Sequence, residues 1–202
     1  MQPHRLMRIG AVGLVVVSGC AATPRLMRTA GSPLADHPNV VMVPLANLSG
    51  RIGQAEVISR IFFTELVRTG TCEVVDYGEA EKLIEELRLR DTGSLTAEQL
   101  KTIGEKTGAR YALVGTILDA GMISTPDGQV PSVGVAIRLV DVATARVVWA
   151  DGGFRTGEDG ETVFGWGRQL DLNRVAETLA TRIFEGFRRL AIAPASHAGG
   201  SQ

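Results

Sequence analysis

From Val40 onward, short apolar runs rich in β-branched residues alternate with segments whose apolar positions recur at helical spacing. This alternation constrains the fold more than any other feature of the chain. Val40-Val-Met-Val-Pro44 reads as a strand and Asn47-Leu-Ser-Gly50 as a turn cluster. Val57, Ile58, Ile61, Phe62 and Leu66 then share one helix face, which Gly70 ends, and Cys72-Glu-Val-Val-Asp76 reads as a second strand. Ala80, Leu83, Ile84 and Leu87 follow the i, i+3, i+4, i+7 rule, with Glu81, Glu85, Glu86 and Arg88 turned outward. In Thr96-Ala-Glu-Gln99 the hydroxyl and the amide side chain can each satisfy a free backbone N–H, so this capping box predicts a third helix. That helix carries Leu100 and Ile103 and closes at Gly108.

Tyr111 to Leu118 is mostly apolar, which predicts a strand buried inside a sheet. Asp127-Gly128 marks a turn toward a strand over Val133 to Val140, and a second turn at Asp141 to Ala145 leads into Arg146 to Ala150. A Gly-rich stretch from Gly152 to Gly167 precedes a last helix with an apolar stripe at Leu172, Val175, Leu179, Ile183 and Leu190. The order predicts one α/β domain over residues 40–190. Its mixed sheet has about five strands, including a three-stranded antiparallel meander, and is packed by helices. Residues 191–202 read as a disordered tail.

The N-terminus reads as an address. Arg5 and Arg8 precede the apolar run Ile9 to Val17, which is far short of the ~20 residues that span a bilayer. The run ends in Val17-Ser-Gly-Cys20. This resembles the bacterial lipobox, with Val17 in place of the commoner Leu, and the resemblance implies cleavage before Cys20 and attachment of acyl chains such as palmitate there. Small residues at 18 and 19 suit a peptidase groove, and the thiol is the nucleophile that accepts lipid. Ala21 after the cysteine favours the outer membrane under the enterobacterial sorting rule. Residues 1–19 are thus a lipoprotein signal peptide, and residues 20–39, with Pro24, Gly31, Pro33 and Pro38, a lipidated terminus and flexible tether. Such a tether spans roughly 25 Å r.m.s. and at most about 65 Å.

Four phrases in order resemble the superfamily of the curli secretion channel subunit (CsgG) and the penicillin-binding-protein activator lipoprotein (LpoB). They are Val43-Pro-Leu-Ala-Asn-Leu-Ser-Gly50, Leu66-Val-Arg-Thr-Gly-Thr-Cys-Glu-Val-Val-Asp76, Gly108-Ala-Arg-Tyr-Ala-Leu-Val-Gly-Thr-Ile117 and Leu139-Val-Asp-Val-Ala-Thr-Ala-Arg-Val-Val-Trp149. The resemblance implies a periplasmic domain that acts by binding other envelope proteins. Most of the phrases also have a structural explanation. Asn47 and Gly50 suit a turn, Gly115 lets a neighbour approach a buried strand, and Trp149 covers the sheet. Ala145 stands where the family has a hairpin glycine, so that turn is expected to be built differently here.

The chemistry that the chain lacks narrows its function. Its three histidines, His4, His37 and His197, all fall outside residues 40–190, which removes His-dependent nucleophilic catalysis and His-liganded metal from that domain. Asp91-Thr-Gly-Ser94 matches the aspartic-protease tetrad in letters. However, it follows Leu87-Arg-Leu-Arg90 at a helix end rather than an apolar strand, so a loop is expected. Glu85-Glu86 and Glu158-Asp-Gly-Glu161 read as solvated charge, and Cys72 as a packed strand thiol. With 21 basic against 22 acidic residues, no basic excess points to nucleic acid.

The expectation is a non-catalytic, lipid-anchored periplasmic protein-binding module at the outer membrane, with no cofactor and no metal. It resembles regulators of envelope complexes, and its partner is another envelope protein, a peptidoglycan synthase or a secretion component. Self-association is left open. The alternative is a subunit of a curli-type outer-membrane secretion assembly. Cys20 is the expected lipid site. Phe164, Trp166 and Arg168, aromatic and arginine residues on the Gly-rich segment, are the candidate partner surface.

Overall fold

A computed structural model describes residues 37–126, 128–162 and 166–192, side chains of 190–192 excepted. The elements are β1 (Asn39–Met42), β2 (Ala46–Asn47), α1 (Ile52–Arg68), β3 (Glu73–Val74) and α2 (Tyr77–Glu86). They continue with α3 (Ala97–Thr107), β4 (Tyr111–Thr125), β5 (Gly128–Asp141), β6 (Arg146–Thr156) and α4 (Leu172–Ile192). The strands lie in the order β3-β1-β4-β5-β6, with β2 also paired to β4. β1 runs parallel to β3 and β4, while β4, β5 and β6 form the antiparallel meander. The fold is the mixed α/β sheet that the alternation predicts.

Helix ends follow local chemistry. The Asp76 carboxylate accepts from the N–H groups of Gly78 and Glu79, so Asp76 caps α2. Thr96 and Gln99 form the reciprocal capping box of α3, and Gly108 leaves that helix in the left-handed conformation at φ 69°.

Apolar residues face both sides of the central strands, which explains their continuous hydrophobic runs. Val40, Met42, Tyr111 and Leu113 point toward α1 and α4, where Phe62, Phe184, Phe187 and Trp149 fill the larger core. Val41, Val43, Ala112 and Val114 point toward α2 and α3 and meet Ala80, Leu83, Leu100 and Ile103. Trp149 is buried, with its ring 5.3 Å from that of Phe187 in an edge-on arrangement.

Several details depart from the sequence reading. The apolar face of α1 buries Ala55, Ile58, Phe62 and Leu66, whereas Val57 is exposed. The chain after β1 forms the short strand β2, parallel to β4, before the turn in which Asn47 accepts from Ser49. β4 and β5 continue through the expected connection to a hairpin tip at Thr125 and Gly128, with a bulge at Leu118. Ala145 adopts φ 54°, the left-handed conformation that favours glycine, so this turn holds an alanine where backbone strain would select glycine. Asp141 holds the turn by accepting from the N–H groups of Ala143 and Thr144.

Candidate functional site

β6 ends at Thr156, and the following loop is pinned to the β4–β5 hairpin. The Gly157 N–H donates to the Pro131 carbonyl at 2.9 Å, and its carbonyl accepts from the Gln169 N–H at 2.8 Å. A Cβ at Gly157 would lie 2.0 Å from the Gln169 carbonyl oxygen, so only glycine permits this approach. Asp159 accepts from both the N–H and the hydroxyl of Thr156, which forms the first turn of the loop. The Thr162 N–H and hydroxyl then both donate to the Trp166 carbonyl, at 2.7 and 3.0 Å.

Trp166 stands on this pinned backbone with 78% of its surface exposed. Arg168 is turned inward, its side chain only 21% exposed, and pairs with Glu158 at 2.8 Å. Glu158 in turn accepts from the Thr125 hydroxyl at 2.8 Å, so Arg168 braces the loop against the hairpin tip. Leu170 is exposed on the same connection. Phe164 and Cys20 lie outside the described residues.

An exposed tryptophan on a braced loop presents a large amphipathic surface with little conformational freedom left to lose, the usual make-up of a contact anchor. The sequence signal was the pairing of aromatics with arginines. The separate roles of Trp166, facing out, and Arg168, bracing from within, came only from the structure.

Other groups singled out by chemistry are placed as follows. Asp91 accepts from the Gly93 N–H in the loop between α2 and α3, and the Gly93 carbonyl accepts from Arg138. Cys72 packs against the larger core, and burial pushes its thiol up to about 11, opposed by hydrogen bonds with Thr69 and Thr71. A thiol so shifted is protonated near neutral pH and is a poor nucleophile. Among the described residues no three His, Cys, Asp or Glu side chains gather as a metal site, and no helix is long and apolar enough to cross a membrane.

A family model described as peptidoglycan-synthase activator LpoB matches residues 17–153. Among solved structures, the chain is similar to the PelC dodecamer from Paraburkholderia phytofirmans. The identity is 25% and the TM-score 0.57, over 82% of this chain and 96% of that one. It is also similar in fold to lipoprotein GNA1162 from Neisseria meningitidis, at 13% identity and TM-score 0.54, over 74% of this chain and 97% of that one. The hypothetical protein CT253 from Chlamydia trachomatis is similar in fold at 11% identity and TM-score 0.52, over 77% of this chain and 98% of that one. No curated protein matches the chain.

Proposed function

This chain belongs to the peptidoglycan-synthase activator LpoB family, and from that premise we propose that it is a lipid-anchored periplasmic module that regulates an envelope protein by binding it. The carrying observation is the span of the family match, which begins at the Val17-Ser-Gly-Cys20 motif and runs through the sheet. In this reading residues 1–19 are the signal peptide and Cys20 carries the lipid at the outer membrane. Residues 20–39 are the tether, 40–190 the binding domain and 191–202 a tail. Two or three acyl chains give firm anchoring where one would bind only marginally. The partner is a peptidoglycan synthase. The contact surface is the loop of Phe164, Trp166 and Arg168, with Arg168 acting through its pair with Glu158. The protein acts by contact and not by catalysis, without cofactor.

A second reading is favoured by the similarity to the PelC dodecamer, which extends over nearly the whole of that chain. In it the domain assembles with copies of itself at the membrane. A curli-type secretion barrel is a weaker form of this idea. β4 and β5 exceed the roughly 9–11 residues of a membrane strand, yet Ile117, Ala120, Val130 and Val133 bury them in the domain.

Cross-linking in cells followed by capture of the tagged full chain is expected to recover a peptidoglycan synthase, and Trp166→Ala to lower that recovery. An acyl-chain probe is expected to label the wild type and not Cys20→Ala. Capture of no envelope protein above the untagged control would remove the binding reading, and equal labelling of the two chains would remove the lipid site.

A further inference from the structure

Helices cover the two faces of the sheet unequally. α4 packs on β5 and β6 from one face, whereas on the other α2 and α3 lie over β1 and the first part of β4. On that second face Ala136 and Phe154 are left exposed, Phe154 to 57%. The Phe154 ring lies across Gly134, 3.2 Å from where a Cβ would stand, and Asp119 lies against the same glycine at 3.5 Å. An apolar knob and a carboxylate therefore stand side by side. Asp119 accepts from the Ser132 hydroxyl and takes no part in the ion pairs of the described residues.

The opposite side of the molecule offers a matching hollow. The outer surfaces of α1 and α4 form a groove of about 670 Å³, lined by apolar Val57 and Ile61, by the guanidinium groups of Arg60, Arg68 and Arg174 and by the carboxylates of Glu65 and Glu177. Arg68 pairs with Glu65 at 2.6 Å, and Arg60 with Glu56 and Glu81 at 3.2 and 3.0 Å. Val57 is 43% exposed there. Of these three arginines Arg174 is the least tightly held, 3.6 Å from Glu177 with 73% of its side chain exposed, so it can exchange that contact for another. Guanidinium groups attract both the face of an aromatic ring and a carboxylate. The helices repeat this complementarity. α2, on the side of the knob, carries four glutamates against one lysine; on the side of the groove α4 carries four arginines against two glutamates, while α1 is balanced with two of each.

The geometry points to a head-to-tail contact between copies of this chain, in which Phe154 of one copy enters the α1–α4 groove of the next and Asp119 meets Arg174 there. The contact rests on the self-assembly reading and gives it an interface. It brings a helical layer onto the part of the sheet that has none, as layered packing favours. Knob and groove lie on opposite faces of one sheet, so every bound copy still presents one unused knob and one unused groove. Such heterologous contacts build a ring when the rotation closes and a filament when it does not.

Two surface variants test this: Phe154→Glu removes the knob and Val57→Glu spoils the groove, both at exposed positions where folding is not at stake. The full chain is purified from membranes in detergent and its mass distribution is read by mass photometry. The wild type is expected to form assemblies larger than a dimer, and each variant alone to have the mass of one chain. An equal mixture is expected to form dimers and nothing larger, since one intact knob and one intact groove remain. A wild type that stays monomeric at every concentration overturns this contact together with self-assembly. Assembly of either variant like the wild type, or a mixture that stays monomeric, overturns the contact and leaves self-assembly standing.

Discussion

Replacing Gly115 by alanine adds one methyl group at the most crowded point of β4, and the structure supplies its consequence. The new Cβ would lie 2.6 Å from Ile137 Cγ2, 2.7 Å from the Ala136 carbonyl oxygen and 2.9 Å from Leu45 Cδ2. Ile137 and Leu45 are buried in the core, and the Ala136 carbonyl is part of the backbone of β5. Overpacking of this kind destabilises by about 1 to 3 kcal/mol. Loss of glycine's freedom in the unfolded chain offsets about 0.4 to 1 kcal/mol of that. Taken at mid-range the net loss is about 1.3 kcal/mol, which lowers Tm by roughly 3 to 5 °C for a domain of this size. Gly53 in α1 is the control, because no atom lies within 4 Å of a Cβ there. Gly53→Ala should gain about 0.5 kcal/mol from helix propensity and raise Tm slightly. Thermal melts of both variants by circular dichroism should therefore move in opposite directions. A Gly115→Ala melt at or above that of the wild type would refute the packing argument.

Two further outcomes follow from buried groups. With its thiol pushed up from 9.0 to about 11, Cys72 should react with a disulfide reagent at pH 8 about a hundredfold more slowly than a free cysteine. Because the folded-state value is the higher one, its contribution to stability is complete below about pH 9 and declines as pH rises toward 11. Reaction at the rate of a free thiol in the folded protein would contradict the burial. Trp149→Ala should cost about 3 to 5 kcal/mol in denaturant unfolding. Trp149→Phe should cost clearly less, since it keeps a ring against Phe187 and removes an indole N–H that is buried without a hydrogen-bond partner among the described residues. Equal losses in the two variants would show that the ring contact contributes nothing of its own.

The legible parts of this protein are those governed by neighbours along the chain. The capping box at Thr96 and Gln99, the left-handed exit at Gly108 and the apolar stripes of α2 and α4 depend on residues a few positions apart. Sequence alone therefore determined the mixed α/β class and the order of elements apart from the short strand β2. It also determined that residues 40–190 contain no histidine, because composition does not depend on folding. Strand neighbours were not legible in this way. The placing of β1 between β3 and β4, and of β2 beside β4, depends on contacts between residues far apart in the chain. The same holds for the two tryptophans, which look alike in sequence. Trp149 is closed in by α4, and Trp166 is carried outward on a loop that Arg168 and Glu158 brace from within. Which apolar side chains become core and which become surface was decided only when the helices settled on the sheet, since burial depends on the whole packed set and not on any one segment.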